Sequence, residues 1–380
     1  MTRRLRLGQV GGGQGAFIGQ VHRIASRIDD RYELVAGAFS STPQRARASA
    51  EALGVSAQRS YDDFRTMAER ESTRPDGIDA VSIVTPNHMH YAAAREFLRR
   101  GIHVICDKPL TSDLEDARRL AAIARTALEE TGTRFFVTYN YSAYPLIRQA
   151  REMVANGDLG NIRVVQVEYA QDWLATSVET EGLKQAQWRT DPKRSGGGGA
   201  IGDIGTHAFH LAEYVSGLRT QTLAADLHSF GEGRSLDDNA HILLRYSGGA
   251  RGVLWCSQVA IGHENGLRLR IYGDKGGLRW SQENPNELFF CPFGEPERRI
   301  TRNGGGFAAG ALVSARIPAG HPEGYLEGFG ALYNEIADTI LGDDPVHPAH
   351  LPDIEDGLRG VEFIAAALAS SKADGGWTGI

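Results

Sequence analysis

Cysteine is scarce in this chain: three occur in 380 residues, Cys106, Cys256 and Cys291, far apart, odd in number and without a CxxC pair. That spacing excludes a disulfide framework and a thiolate metal knot, and is expected of reduced, mostly buried thiols. Long apolar runs are also missing. Nowhere do about 18 apolar residues follow one another, the length of a membrane helix, and the opening MTRRLRLGQV has a basic start without a signal-length apolar stretch. The expectation is a soluble, cytoplasmic protein with no membrane partner. Nor is there a basic run. The 41 Lys and Arg against 47 Asp and Glu leave a net charge of −6 with both signs scattered, so nucleic acid is excluded as a partner. No sequence repeat and no low-complexity segment interrupts the chain.

What is present is length enough for two cores. Up to Asn140, short β-rich runs alternate with segments of helical period: LRLGQVG, YELVAGAFS, IDAVSIVTP, HVICDKP and RFFVTYN are strands, with helices between them. This pattern predicts a doubly wound parallel sheet. After Asn140 the rhythm changes. Strands such as NIRVVQVEYAQDWL, TLAADLHSF and LRLRIYGDKGGLRWS are joined by short glycine turns, and Gly248-Gly249 and Lys275-Gly276-Gly277 are hairpin signals. The predicted class is α/β: a doubly wound domain over 1–140, then an α+β domain over 141–380 with a large, mostly antiparallel open sheet. The glycine-dense NGGGFAAGA from Asn303 is expected to be a surface loop.

Four features bear on chemistry. The first is GQVGGGQGAFIGQVHR, from Gly8, a glycine turn between first strand and first helix, where backbone N–H groups and the helix N-terminus can approach a pyrophosphate. Strict spacing uses Gly11, Gly13 and Ala16; a delayed helix start gives the third role to Gly19. The second is the end of the second strand. An acid there would bond the ribose hydroxyls of NAD, but Ser40, Ser41 and Thr42 stand in its place, followed by Arg45. These would suit a 2′-phosphate, while an exposed helix arginine without ligand is the plainer reading, so the residues leave NAD and NADP open.

The third feature is a pair of strand ends, TPNHMH from Thr85 and CDKPL from Cys106; open α/β sheets bind ligands outside the carboxyl ends of their strands. Lys108 can polarise a substrate oxygen there. The fourth is SGGGGAIGDIGTHAFHL, with Asp203 near a helix start and His207 one turn on. The plain account is a capping aspartate and a core histidine. A metal site of Asp203, His207, His88 and His90 has workable spacings, but no supporting set of carboxylates, so no metal is expected.

Taken in order, the glycine turn, TPNxxH, a DKP tripeptide, WR and GGGxxxDxGxH resemble the Gfo/Idh/MocA family of nicotinamide-dependent sugar and cyclitol oxidoreductases over nearly the whole chain. The resemblance implies an N-terminal Rossmann domain and a pyrophosphate turn of Gly11, Gly13 and Gly19, with Gln14-Gly15-Ala16 inserted and His22 in the usual histidine place. It implies that Pro86, Asn87 and His90 lie beside the nicotinamide ribose and that Asn140 opens onto the nicotinamide. Asp107 replaces the commoner glutamate before Lys108. Arg189, after Trp188, lies near cofactor and substrate, and Tyr144-Pro145 stands where many relatives have an arginine and an aromatic. Lys108, Asp203 and His207 match the catalytic positions. The family's catabolic role implies NAD, and its habit of pairing sheets implies a homo-oligomer, a dimer or tetramer.

Oxidising a secondary alcohol requires a base within hydrogen-bond reach of the hydroxyl and a cation for the developing alkoxide. His207, as a histidine whose unperturbed pKa lies near the working pH, suits the base and Lys108 the cation, with Lys108 the alternative acceptor of the proton. Asp203 would orient a neighbouring hydroxyl or keep Lys108 charged. Gln171, Asp172, Trp173, Lys184, Arg189 and His321 are further polar candidates for holding a polyol. The expected activity is an NAD(P)-dependent dehydrogenase acting on a cyclitol or sugar. A keto-sugar reductase and an NAD-dependent glycosidase share the motifs, whereas a nicotinamide sensor would have lost the Lys108, Asp203 and His207 set.

Overall fold

The computed structural model describes residues 3–179, 188–343 and 351–380. The chain divides into two compact units, Met1–Asn140 with Tyr325–Leu358, and Tyr141–Gly324 with Arg359–Ile380.

The first unit is built on a five-stranded sheet in the order β2-β1-β3-β4-β5, from β1 (Leu5–Gly11), β2 (Tyr32–Ala38), β3 (Ala80–Val84), β4 (His103–Cys106) and β5 (Phe135–Val137). Every pairing is parallel. All five residues of β3 are buried, as a central strand covered on both faces requires. The crossovers carry helices α1 (Phe17–Ile28), α2 (Pro43–Ala52), α3 (Phe64–Thr73), α4 (His90–Leu98) and α5 (Leu114–Thr131). Asp63 and Asp113 cap α3 and α5 by accepting from first-turn N–H groups.

The second unit carries a nine-stranded sheet, β13-β12-β11-β10-β6-β9-β8-β7-β14. Its strands are β6 (Ile162–Ala170), β7 (Thr220–His228), β8 (Asn239–Tyr246), β9 (Arg251–Ser257), β10 (Gly266–Gly273), β11 (Gly276–Ser281), β12 (Glu287–Pro292), β13 (Arg298–Thr301) and β14 (Thr378–Gly379). Neighbours are antiparallel except for β6 and β9. The glycine turns at 248–249 and 275–277 do join antiparallel partners, β8 to β9 and β10 to β11. Helices α6 (Pro145–Ala155) and α7 (Thr206–Ser216) pack together, and α7 lies on β6, β9 and β10. On the sheet's other face Leu243 and Val253 stay 51% and 40% exposed. The α/β class with a parallel and a mostly antiparallel sheet is as expected.

Two local expectations change. The second domain, drawn as 141–380, gives up 325–358 to the first unit. There α8 (Tyr325–Leu341) packs on α1: Tyr333 Oη lies 2.8 Å from His22 Nδ1, and the Tyr32 hydroxyl donates to Tyr333 O at 2.8 Å. Amphipathic period marks a helix but not which sheet it covers. The closing helix α9 (Ile354–Lys372) gives its first turn to the first unit and the rest to the second. The helix predicted across AIGDIGTH, in turn, opens as a π turn, Ile201–Gly205, before α7. Asp203 therefore sits inside that turn and is not the cap.

Candidate active site

In the first unit β1 ends at Gly11 and α1 starts at Phe17, a longer turn than strict GxGxxG spacing allows. Gly19 lies in the first turn of α1, where a Cβ would come within 2.6 Å of Gly12 O and nearer still to Gly12 Cα. Close helix packing on the glycine turn thus falls to Gly19, while Ala16 precedes the helix with no side chain capping it. Gln9 Nε2 donates to Gly11 O (3.0 Å) and Gly12 O (3.3 Å), and Arg23 Nη1 to Gly12 O (2.7 Å). Two of the turn's carbonyls are engaged by the protein, and an alanine, a poor capping residue, leaves the first N–H groups of α1 for an anion. This arrangement fits a pyrophosphate.

After β2 the hydroxyl of Ser40 accepts from Thr42 N (3.1 Å), while Ser41 and Arg45 are exposed. Pro86 precedes the short turn Asn87–Met89 that follows β3, and Asn87 is buried. His90 departs from expectation. It is fully buried, with Nδ1 2.9 Å from Pro109 O and Nε2 2.9 Å from Thr85 O. Both ring nitrogens face main-chain carbonyls, so His90 ties the strand end to the Lys108-Pro109 turn and has no ring nitrogen left for a cofactor. Lys108 is half-buried on that turn. Asp107 braces it, accepting from Lys108 N (2.9 Å) and from the Thr138 hydroxyl (3.0 Å). Asn140 is buried, and its Nδ2 has no hydrogen-bond partner among the described residues, an amide donor suited to a ligand carbonyl or hydroxyl.

The second unit brings Arg189, Asp203 and His207 into one neighbourhood. Arg189 Nε lies 3.2 Å from Asp203 Oδ2, with its guanidinium over the Trp188 ring, and Gln258 Nε2 donates to the same oxygen at 2.9 Å. His207, 8% exposed, stands edge-on to Tyr141 at 4.9 Å. From there a chain of neutral groups runs outward. The Tyr141 and Tyr169 hydroxyls are 2.6 Å apart, Tyr169 donates to Asn265 Oδ1 (2.8 Å), Gln171 Nε2 donates to the same oxygen (2.8 Å), and Trp173 Nε1 donates to Gln171 Oε1 (3.0 Å).

The sequence reading named Gln171 and Trp173 but missed Tyr141, Tyr169, Asn265 and Gln258, as it missed Gln9, Arg23 and Tyr333. The antiparallel register of β6 and β10, with Ala170 opposite Gly266, is what sets Asn265 beside Gln171. Asp172 Oδ2 accepts from Gly262 N (3.1 Å), a loop brace. Two candidates are displaced. Tyr144 is only 2% exposed, its ring against Tyr141 and Trp280, so it backs the cluster instead of offering a surface to substrate. His321 lies exposed in a loop, and among the described residues no contact of its side chain joins it to Asp203 or His207. Lys184 lies outside the described residues.

Comparison with known proteins bears on both units. Residues 5–139 match the oxidoreductase family's NAD-binding Rossmann fold, and residues 147–279 match the GFO/IDH/MocA C-terminal domain. The oxidoreductase YfiI of Bacillus subtilis, described as uncharacterized, is 34% identical over 386 residues, covering 99% of this chain and 97% of its own. A crystal structure of an oxidoreductase from Sinorhizobium meliloti superposes with a TM-score of 0.90 at 54% identity, covering 99% of each chain. An inositol dehydrogenase homologue from Azotobacter vinelandii, solved with NADH and myo-inositol, gives a TM-score of 0.91 at 38% identity over 100% of this chain and 98% of its own. With both of its domains matched and a full-length relative above 30% identity, the chain belongs to the Gfo/Idh/MocA family of oxidoreductases and carries that family's NAD-binding domain.

Proposed function

We propose that this oxidoreductase is an NAD-dependent dehydrogenase that oxidises a secondary hydroxyl of a neutral cyclitol or sugar. The observation that carries the reading is the charge balance around His207. Arg189 and Asp203 are paired with each other, and Tyr141, Tyr169, Asn265, Gln171 and Trp173 form a row of neutral donors and acceptors leading away from the ring. Such a surface matches a row of hydroxyls, and Arg189, already engaged by Asp203, is not offered to a phosphate or carboxylate. The inositol dehydrogenase homologue was solved with a substrate of that kind.

Bound NAD+ supplies the hydride acceptor. Gly11, Gly13 and Gly19 would hold its pyrophosphate, with Ser40 and Ser41 at the ribose and Asn140 at the nicotinamide. His207 takes the hydroxyl proton, and Lys108 stabilises the negative charge developing on the oxygen. Asp203, held by Arg189 and Gln258, accepts from a neighbouring hydroxyl and fixes which carbinol carbon reacts. A second copy of this chain laid over the open sheet face, which exposes Leu243 and Val253, would form the expected dimer or tetramer; light scattering checks the mass.

The decisive assay follows NADH absorbance with a panel of cyclitols and sugars beside their phosphate esters. Reduction with neutral members and a loss of kcat/KM of tenfold or more on phosphorylation, about 1.4 kcal/mol or more, is expected. Preference for the phosphorylated forms overturns the neutral-substrate reading. No net reduction with any polyol, together with release of an aglycone, would make the protein a glycosidase.

A further inference from the structure

The roles of Asp203 and His207 depend on how their helix begins, and a residue far from the motif holds that beginning. Asp237 lies in the segment between β7 and β8. Its Oδ1 accepts from Gly199 N (2.6 Å), its Oδ2 from Ile201 N (2.8 Å), and its main-chain oxygen from Ala200 N (2.8 Å). Any Cβ on Gly199 would overlap Asp237 O, so the approach needs a glycine there. The next residue reaches the same turn by another route. Asp238 O accepts from Gln258 N (2.8 Å), and the Gln258 side chain donates to Asp203. The Asp238 carboxylate is itself fixed by Phe230 N, Gly231 N and the Arg234 guanidinium, the last at 3.1 Å.

We infer that Asp237 is a positioning residue for the reaction: its two carboxylate oxygens fix the turn that aims Asp203 and His207. The inference rests on the dehydrogenase reading of that site. Both oxygens face N–H donors, so only the ionised form satisfies both. A proton on Asp237, or an amide in its place, sets a donor against a donor and releases one end of the turn. Desolvation lifts Asp237 to about 6, although the residue as a whole is half-buried. The groups facing it are Asp238, whose charge raises it further, the buried neutral Cys256 thiol, and the N–H groups of Gly199 and Ile201, which lower it. The turn therefore tightens as Asp237 ionises.

The test follows the Gly199 and Ile201 amide resonances of the full-length, isotope-labelled protein from about pH 5 to about pH 8, a range containing the ordinary histidine pKa, beside Asp237→Asn. In the wild type both amides should titrate together with a midpoint near 6, and neither should do so in the variant. Asp237→Asn should lower kcat by roughly ten- to a hundredfold, as a misaimed catalytic group does. It should also move the His207 ring resonances and leave NADH affinity within about twofold, less than 0.5 kcal/mol. Amides that do not titrate in the wild type, or a variant with kcat within twofold, overturn the inference. Should the variant fail to fold, the wild-type amide titration decides alone. Should the wild type reduce NAD+ with no polyol, the dehydrogenase reading falls, while the amide and His207 resonances still decide what Asp237 does.

Discussion

Two glycine-rich stretches lead into helices, GQVGGGQGAFIG in the first unit and SGGGGAIGDIG in the second, and they treat their helix starts in opposite ways. At the first, Gln9 and Arg23 take carbonyls, no side chain caps α1, and the leading N–H groups are kept for an anion from outside. At the second, Asp237 takes the N–H groups of Gly199 and Ile201 for the protein itself. The same glycine density serves an open anion cradle in one place and a closed internal clamp in the other. A count of glycines alone would not separate them; the partner of the helix N-terminus does.

That contrast can be broken by mutation. The largest effect is expected from His207→Ala, downstream of the closed entry: turnover falls by roughly 100- to 10,000-fold, as loss of a general base does, while NADH affinity holds. Near-normal turnover removes His207 from the reaction. Gly19→Val at the open entry should do the reverse and abolish detectable NADH binding in a fluorescence titration, because the side chain must displace Gly12. Ala16→Val should change affinity by no more than about threefold, roughly 0.7 kcal/mol; the opposite ranking would restore the strict spacing. Gly199→Ala, which crowds Asp237 O, should lower stability by about 1–3 kcal/mol through overpacking, read in a urea titration, with NADH binding retained. The last prediction is a pH dependence. Burial holds His22 down at about 4, so the unfolded chain takes up its proton first. Its contribution is complete above the ordinary value of 6.5 and is lost as pH falls toward 4, a change of roughly 3 kcal/mol. Acid should destabilise His22→Gln less steeply than the wild type, and equal slopes would locate the acid sensitivity elsewhere.

The regular elements of both sheets were legible because each runs at one period. The length of the glycine turn was legible too, since β1 ends at Gly11 and α1 starts only at Phe17, as the inserted residues require. His90 was misplaced because a motif gives a neighbourhood and not a direction; its ring turns inward to carbonyls that only the folded Lys108-Pro109 turn brings near. Tyr169 and Asn265 escaped notice because they meet through strand register, which no local pattern encodes. Asp237 was hidden for a like reason. Its partners lie nearly forty residues earlier, in a stretch read only for Asp203 and His207.

The return of Tyr325–Leu341 to the first unit has a consequence for synthesis. A vectorially made chain has all five parallel strands out after Val137, yet the helix that covers α1 and supplies Tyr333 to His22 and Tyr32 emerges nearly two hundred residues later. Until then the buried side of α1 faces solvent or whatever shields it. The usual order, in which the N-terminal domain finishes before the next begins, does not apply: the nucleotide-binding half is completed only after most of the second unit has been made, and a ribosome stalled before residue 325 would hold a substrate for chaperones.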